Sequence, residues 1–112
     1  MIDIKVFGSG SSGNCYLANI NKTKILLEAG IPFKQIQKGM MFKVSNIDAC
    51  LVTHEHLDHA KSAKDLIKNG VDCYMTQGTA EALKLKSHRL KTFNKDENND
   101  YKTTEINQLI IK

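Results

Sequence analysis

The sequence predicts a layered α/β domain with a mixed sheet, and two observations lead to this fold class. Residues 1–27 contain three short apolar stretches separated by turn-forming residues, without helical periodicity. From residue 33 onward, stretches with apolar side chains at helical spacing alternate with short apolar runs. A chain of 112 residues suffices for one small domain and not for two, so residues 1–112 are expected to form a single domain.

The three N-terminal stretches are predicted to form a meander of antiparallel strands. Residues 2–7 alternate apolar and charged side chains with the period of a strand, and residues 14–20 and 23–27 follow as apolar strands. Between them lie the Gly-Ser-rich residues 8–13 and the pair Asn21-Lys22, which are turn-forming. Connections this short join antiparallel neighbours.

In the remainder of the chain, helices and strands are expected to alternate. Apolar side chains recur at helical spacing in three segments, which we predict as helices: 33–41, 60–69 and 78–87. Pro32 suits the first turn of the first helix, and Gly70 suits the end of the second. Three apolar runs are predicted as strands: 47–53, 71–75 and 106–111. The polar residues 93–101 are predicted as a loop.

Composition and charge exclude several classes of protein. No apolar run approaches the roughly 20 residues of a membrane span, and residues 1–7 lack the apolar region of a signal peptide. A cytoplasmic location without membrane contact is therefore expected. Cys15, Cys50 and Cys73 are an odd number and form no CxxC pair, so we expect small core residues rather than disulfides. The net charge of +4 is compatible with a polyanionic partner.

Residues 8–13 read Gly-Ser-Gly-Ser-Ser-Gly, which is a literal GxGxxG pattern. A dinucleotide-binding fingerprint requires a helix to begin at these glycines, so that the N–H groups at its N-terminus face the pyrophosphate. Residues 14–20 are instead predicted as a strand, and no Gly-Lys-Ser/Thr follows as in a Walker loop. We therefore interpret the segment as a tight connection between strands, with an anion-binding nest of backbone N–H groups as the alternative.

The strongest functional signal is the segment His54-Glu55-His56-Leu57-Asp58-His59, which follows a predicted buried strand. Imidazole and carboxylate groups suit zinc, manganese or iron. In an extended turn His54 and His56 point the same way and can bind one metal, whereas Asp58 and His59, at a helix start, can bind a second. Two such ions can share a hydroxide and stabilise attack and departure during hydrolysis. A surface loop that is merely rich in histidine is the alternative.

These residues match the HxHxDH signature of the metallo-β-lactamase superfamily at every position, and the resemblance extends over residues 1–93. Residues 7–15 are similar to the Gly-Ser-rich first turn of the branch that includes the YycJ/WalJ-like proteins and the phage cyclic-nucleotide phosphodiesterases. Leu26-Leu27-Glu28-Ala29-Gly30 resembles the family's apolar-acid-x-Gly element, with Glu28 where Asp is commoner. The resemblance implies the N-terminal half of an αββα sandwich.

The resemblance also implies roles for individual residues. His54 and His56 would bind a first metal and Asp58 and His59 a second, with Zn²⁺ expected at both sites and Mn²⁺ as the alternative. Asp58 would also orient the attacking hydroxide. Glu28 would hold the metal loop through backbone N–H groups without touching the metal. The implied function is a metal-dependent hydrolase that cleaves phosphodiester bonds in nucleic acid or cyclic nucleotides through a hydroxide activated by two metals.

In the family, a third histidine, a bridging aspartate and a last histidine come from the second half of the sandwich, and this chain shows no clear counterpart. We therefore expect a truncated domain whose activity needs residues beyond this chain. His88 is expected to be a solvated cation at the end of the helix 78–87. One sheet face would lie exposed, so a homodimer or a complementing chain is expected to cover it. The alternative function is a non-catalytic, phage-encoded interaction protein with a vestigial metal motif.

Overall fold

Six strands form one mixed sheet in this protein. The structure is a computed structural model that describes residues 2–53, 56–93, 104–106 and 109–111, with the backbone alone at residues 58, 104, 105 and 109–111. Along the sheet the strands follow the order of the sequence. They are β1 (Ile2–Gly8), β2 (Cys15–Ile20), β3 (Thr23–Leu27), β4 (Ala49–Leu51), β5 (Cys73–Met75) and β6 (Leu90–Thr92).

The predicted N-terminal meander is confirmed, because β1 pairs antiparallel with β2 and β2 pairs antiparallel with β3. Asn21 and Lys22 connect β2 to β3 with φ angles of 48° and 74°. Two successive positive φ values are typical of the tight hairpin turn that matches the twist of its strands. From β3 to β6 the pairing is parallel, which gives the mixed α/β sheet that the sequence predicts.

Among the described residues, four short α-helices accompany the sheet, together with a 3₁₀ turn at Val44–Asn46. The α-helices are α1 (Phe33–Gly39), α2 (Leu57–Ala60), α3 (Ala63–Lys68) and α4 (Gln77–Leu83). Gly70 follows the end of α3 with φ +88°, which confirms its predicted role in ending that helix. The Thr76 hydroxyl caps α4 by accepting a hydrogen bond from the Thr79 N–H at 3.2 Å. Within the described part of the chain, no helix is long and apolar enough to cross a membrane.

The main hydrophobic core lies between one face of the sheet and the helices. Register places Leu17, Leu26, Cys50 and Cys73 side by side on that face. They belong to one buried cluster with apolar side chains of α1, α3 and α4, including Ile36, Leu66 and Ala80. All three cysteines are buried and unbridged, which confirms that they serve as small core residues.

The opposite face of the sheet is also apolar. Register places Ile4, Ala18, Ile25 and Ala49 side by side on it. Ala18, Ile25 and Ala49 are buried but lie outside the main core cluster, whereas Ile4 on the edge strand is exposed. Among these four residues, only Ile4 at the β1 end of the sheet shows the exposure that was expected for this face.

The C-terminal prediction of one strand over residues 106–111 is wrong. The structure contains two strands there, β7 (Thr104–Ile106) and β8 (Leu109–Ile111), which pair antiparallel as a separate two-stranded sheet. Ile106 pairs with Leu109, and the polar residues Asn107 and Gln108 interrupt the apolar pattern between them in the sequence. Residues 94–101, most of the predicted loop 93–101, lie outside the described residues.

Three further differences concern the ends of helices. The helix predicted over 60–69 is shorter, since α3 spans Ala63–Lys68 and residue 60 is instead the last residue of α2. The helix predicted over 33–41 ends at Gly39, and Met41 after it has φ +53° and is 79% exposed. The helix predicted over 78–87 ends at Leu83, because Lys84 adopts a left-handed conformation with φ +56°. His88 therefore lies in an exposed turn before β6 and not at a helix end.

Candidate metal centre

The predicted metal-binding residues follow the carboxyl end of a parallel strand. Glu28 comes directly after β3, and Thr53 comes two residues after the end of the neighbouring strand β4. Because β3 and β4 are parallel, their carboxyl ends lie at the same edge of the sheet, the usual place for ligand sites in such sheets. Glu28 is also joined to β4 directly, since its N–H donates to the Leu51 carbonyl oxygen at 2.8 Å.

The carboxylate of Glu28 connects three groups of this edge. Its Oε1 accepts a hydrogen bond from the Thr53 backbone N–H at 2.8 Å. Its Oε2 accepts the Thr53 hydroxyl proton and lies 2.6 Å from Nδ1 of His59. The residue is only 8% exposed and has φ +66°, a conformation uncommon for a residue with a side chain. Backbone strain at a buried, fully engaged carboxylate is a feature of functional sites.

Backbone hydrogen bonds attach the motif helix α2 to the segment after Glu28. The Ala29 N–H donates to the His59 carbonyl oxygen at 2.6 Å, and the Ser62 N–H donates to the Ala29 carbonyl oxygen at 2.7 Å. The buried Ser62 hydroxyl donates to the carbonyl oxygen of Ile31. These contacts hold His59 in position independently of its imidazole ring.

The contact with Glu28 determines which nitrogen of His59 carries the proton. An ionised carboxylate only accepts hydrogen bonds, so in the neutral imidazole Nδ1 is the protonated nitrogen and Nε2 carries the lone pair. A histidine oriented in this way by a carboxylate is the arrangement that metal-binding histidines adopt in proteins. The donor chemistry of His59 therefore fits a divalent metal.

His56 begins α2 with an extended conformation, φ −60° and ψ 141°. Its carbonyl oxygen accepts hydrogen bonds from the N–H groups of His59 and Ala60 at 2.9 and 3.0 Å. The side chain of His56 is exposed, and His59 is half-buried. The predicted staggering of the two ligand pairs requires the backbone to change from an extended to a helical conformation. Residue 56 is extended, and α2 begins directly after it.

The other two predicted ligands are described only in part. His54, together with Glu55, lies outside the described residues, and Asp58 is placed within α2 by its backbone. Among the side chains that are described, no group of three or more His, Cys, Asp or Glu residues forms a metal cluster. The structure thus brings together Glu28 and His59, and it places residues 56, 58 and 59 on one short segment.

Sequence reasoning missed two residues of this edge. Thr53 supplies both a backbone N–H and a hydroxyl to Glu28, and its position directly before the motif was the available signal. Ser62 gave no local signal, because its partners Ala29 and Ile31 are about 30 residues away in the sequence. Glu28 was expected to contact backbone N–H groups; it contacts one, together with a hydroxyl and an imidazole.

The glycine-rich residues 8–13 connect β1 to β2, and the residues that follow form a strand rather than a helix. The interpretation as a strand connection is confirmed, and the dinucleotide fingerprint is excluded by its own geometric requirement. Gly13 has φ +146°, and a Cβ atom there would lie 2.3 Å from the carbonyl oxygen of Gly30. The loop therefore packs tightly against the segment that carries Glu28.

Cys15, the first residue of β2, is buried near this edge. Burial and, secondarily, the negative charge of Glu28 raise the pKa of its thiol from the ordinary 9.0 to about 12. A thiol with such a pKa stays protonated at neutral pH and is a poor nucleophile. Cys15 is therefore a core residue beside the candidate centre.

The sheet, its helices and the histidine motif identify the class of protein. The family model of the metallo-beta-lactamase superfamily matches residues 8–98, and the chain belongs to this superfamily. Two solved structures show the same fold. YhfI from Bacillus subtilis superposes with a TM-score of 0.65 and 14% identity over 93% of this chain and 48% of its own. FIM-1 from Pseudomonas aeruginosa, in its mono-zinc form, superposes with a TM-score of 0.58 and 17% identity over 82% of this chain and 42% of its own.

The curated relatives are more similar in sequence. The chain is 37% identical over 82 residues to the exodeoxyribonuclease WalJ of Streptococcus pneumoniae, a match that covers 70% of this chain and 30% of the relative. It is 33% identical over 63 residues to the exodeoxyribonuclease YycJ of Bacillus anthracis, a match that covers 54% of this chain and 24% of the relative. The chain therefore spans less than a third of the length of these curated relatives.

Proposed function

We propose that this chain supplies the N-terminal part of the active centre of a metal-dependent nuclease. The observation that carries the proposal is the contact of 2.6 Å between Glu28 and His59, in which a carboxylate orients the imidazole as carboxylates orient metal-binding histidines. Membership of the superfamily and the names of the two relatives, both exodeoxyribonucleases, support the same class of reaction.

The residues that would hold two divalent ions are His54 and His56 for the first and Asp58 and His59 for the second. We propose zinc at both sites, with manganese as the alternative, since imidazole and carboxylate ligands suit either ion. Such ions, when bound, supply Lewis acidity to the phosphodiester and lower the pKa of the attacking water. Asp58 would accept a hydrogen bond from that water and orient it. Glu28 stays with His59 and Thr53 and acts as a positioning residue.

The proposed substrate is DNA, and a lysine-lined cavity supports a polyanion. Four lysines, Lys64, Lys68, Lys84 and Lys86, line an open cavity of about 440 Å³ between α3 and the segment after α4. Together with the net charge of +4, this cluster favours contact with phosphate groups, which contribute most of the non-specific affinity for DNA. The third histidine, the bridging aspartate and the last histidine of the family would come from residues outside this chain.

Metal binding tests the proposal most directly. We expect the wild-type chain to bind zinc or manganese, and His54→Ala combined with His56→Ala to weaken that binding at least about tenfold. His88→Ala is the matched control, since His88 is exposed in a turn remote from the motif in the sequence, and it should leave the metal affinity unchanged. Equal metal affinity in the double variant and the wild type would contradict the proposed ligands.

Nuclease activity on linear DNA is the second measurement. We expect metal-dependent cleavage only when the missing ligands are supplied, for instance by a co-expressed C-terminal segment of a relative, and we expect His56→Ala to abolish it. Absence of metal binding by the wild-type chain would favour the alternative function, a non-catalytic interaction protein that retains the motif as a vestige.

A further inference from the structure

The outer edge of the sheet is formed by β1, whose only strand neighbour in the described part of the chain is β2. Residues 2–6 of β1 are all exposed. Ile2, Ile4 and Val6 share one face and are 67%, 58% and 61% exposed, while Asp3 and Lys5 share the other face. The strand thus combines an unpaired edge, an apolar face and a pair of opposite charges.

Such an edge is a template for another strand. Proteins commonly protect their edge strands with proline, a bulge, a very short strand or charged side chains, above all lysine. Residues 2–6 contain no proline, and their register with β2 is regular, with the irregularity confined to the step between Val6 and Gly8. Of these devices the stretch carries only charged side chains, Asp3 and Lys5, and a partner strand that places an opposite charge against each of them removes this barrier.

We propose that a second copy of this chain pairs antiparallel with β1, so that the two sheets join across a twofold axis at Ile4. In this register Ile4 lies opposite the partner's Ile4, and Ile2 lies opposite the partner's Val6. Asp3 lies opposite the partner's Lys5, and the same pair recurs on the other side of the axis. A twofold interface requires a self-complementary surface, and the sequence Ile-Asp-Ile-Lys-Val is self-complementary in both charge and hydrophobicity.

Other antiparallel registers lose this complementarity. A shift by one residue places isoleucine opposite a charged side chain, because directly opposed residues share one face of the sheet. A shift by two residues places Asp3 opposite the partner's Asp3, or Lys5 opposite the partner's Lys5. Like charges directly opposite each other are destabilising. The charges therefore select the register, while the three exposed apolar side chains supply the surface that pairing buries.

Charge reversal tests the register. Asp3→Lys or Lys5→Asp alone would create two like-charge pairs in each dimer, whereas the double variant would restore both pairs with their signs exchanged. Sedimentation equilibrium of the full chain should show a dimer for the wild type and a dissociation constant raised about tenfold in each single variant. The double variant should return to within about threefold of the wild type. Circular dichroism checks that each variant is folded.

Disulfide trapping tests the axis. Opposed Cα atoms of antiparallel strands lie about 4.5 to 5.5 Å apart, which is within the range that a disulfide can bridge. Ile4→Cys should therefore form an intermolecular disulfide on mild oxidation. Ile2→Cys is the matched control and should not, because the two copies of residue 2 would lie about 13 Å apart along the strands. The native cysteines are buried and do not compete.

Two results would overturn the inference: a chain that stays monomeric at every concentration measured, or a dimer that neither charge reversal weakens and Ile4→Cys does not trap. Both experiments are done with a chelator present, because the pairing requires no metal. Their outcome is therefore separate from that of the proposed nuclease function.

Discussion

Replacing Glu28 by glutamine is the most informative change in the candidate centre, because it keeps the shape of the side chain and removes its charge. The carboxylate accepts from three donors on two neighbouring residues: the Thr53 N–H at Oε1, and the Thr53 hydroxyl and His59 Nδ1 at Oε2. A glutamine side chain offers one oxygen and one NH₂ group, which is a donor. In the variant, one of the two neighbours must therefore meet a donor.

The neighbours differ in how they can respond. The Thr53 N–H cannot lose its proton, whereas His59 can move its proton from Nδ1 to Nε2. We therefore expect the amide oxygen of the new side chain to stay with Thr53 and His59 to change tautomer. That change removes the lone pair from the nitrogen proposed to bind metal, and metal affinity should fall by roughly 10- to 100-fold. Loss of a charged acceptor should also cost about 1–3 kcal/mol of unfolding free energy without metal.

Three measurements on Glu28→Gln follow from this argument. Chelator competition gives the zinc affinity, urea unfolding of the metal-free chain gives the stability, and ¹⁵N NMR of the imidazole gives the tautomer of His59. Asp72→Asn is the matched control, because it makes the same chemical change at a partly exposed ion pair with Arg89, 3.2 Å apart. It should cost less than about 1 kcal/mol and leave metal binding unchanged. Zinc affinity within about twofold of wild type in Glu28→Gln would refute the positioning role.

The remaining predictions concern stability and use urea unfolding. Gly13→Ala should lower the free energy of unfolding by more than about 3 kcal/mol, since its Cβ would lie 2.3 Å from a backbone carbonyl oxygen. Gly10→Ala is the control and should cost clearly less, because no atom lies within 4 Å of its Cβ. Equal losses in the two variants would contradict the packing argument. The raised pKa of Cys15, about 12 against 9.0, means that the folded state holds the thiol proton more tightly than the unfolded state. The contribution of Cys15 to stability should therefore be constant below about pH 9 and be lost as the pH rises from 9 toward 12, and Cys15→Ala should reduce the slope of stability in that range. Ile36→Ala should lower the free energy of unfolding by about 2–5 kcal/mol, because Ile36 is fully buried. Met41→Ala should lower it by less than about 0.5 kcal/mol, because Met41 is exposed. A large loss in Met41→Ala would show that Met41 packs in the core.

The N-terminal half of the fold could be predicted from the sequence because its signals are local. The alternation in β1, the turn at Asn21-Lys22 and the glycine that ends α3 each act within a few residues. The strand β6 could not be predicted in the same way. It has three residues, one of them a lysine, and it is a strand because Leu90 pairs with Cys73, 17 positions earlier in the chain. The pair β7–β8 was missed for a different reason, since residues 106–111 were interpreted as one strand although the polar residues Asn107 and Gln108 interrupt the apolar pattern.

The candidate site divides in the same way. The HxHxDH pattern in residues 54–59 and the acidic residue at the end of β3 are visible as letters, and their residue types alone indicate metal chemistry. The geometry that makes Glu28 a partner of His59 joins residues 31 positions apart. Thr53 and Ser62 join the site through this geometry: Ser62 carries no local signal, and the only signal of Thr53 is its position directly before the motif.

The sequence by itself determined the α/β class, the meander, the metal-binding residue types and the charge pattern of β1, all of which depend on side-chain chemistry and short-range periodicity. Only the tertiary structure decided that β3 and β4 run parallel, so that Glu28 reaches the motif, and that β1 is left at the edge of the sheet. The physical reason is that local backbone preferences extend over a few residues. Parallel pairing and a buried carboxylate network instead join distant segments, and their free energy depends on the whole chain being folded.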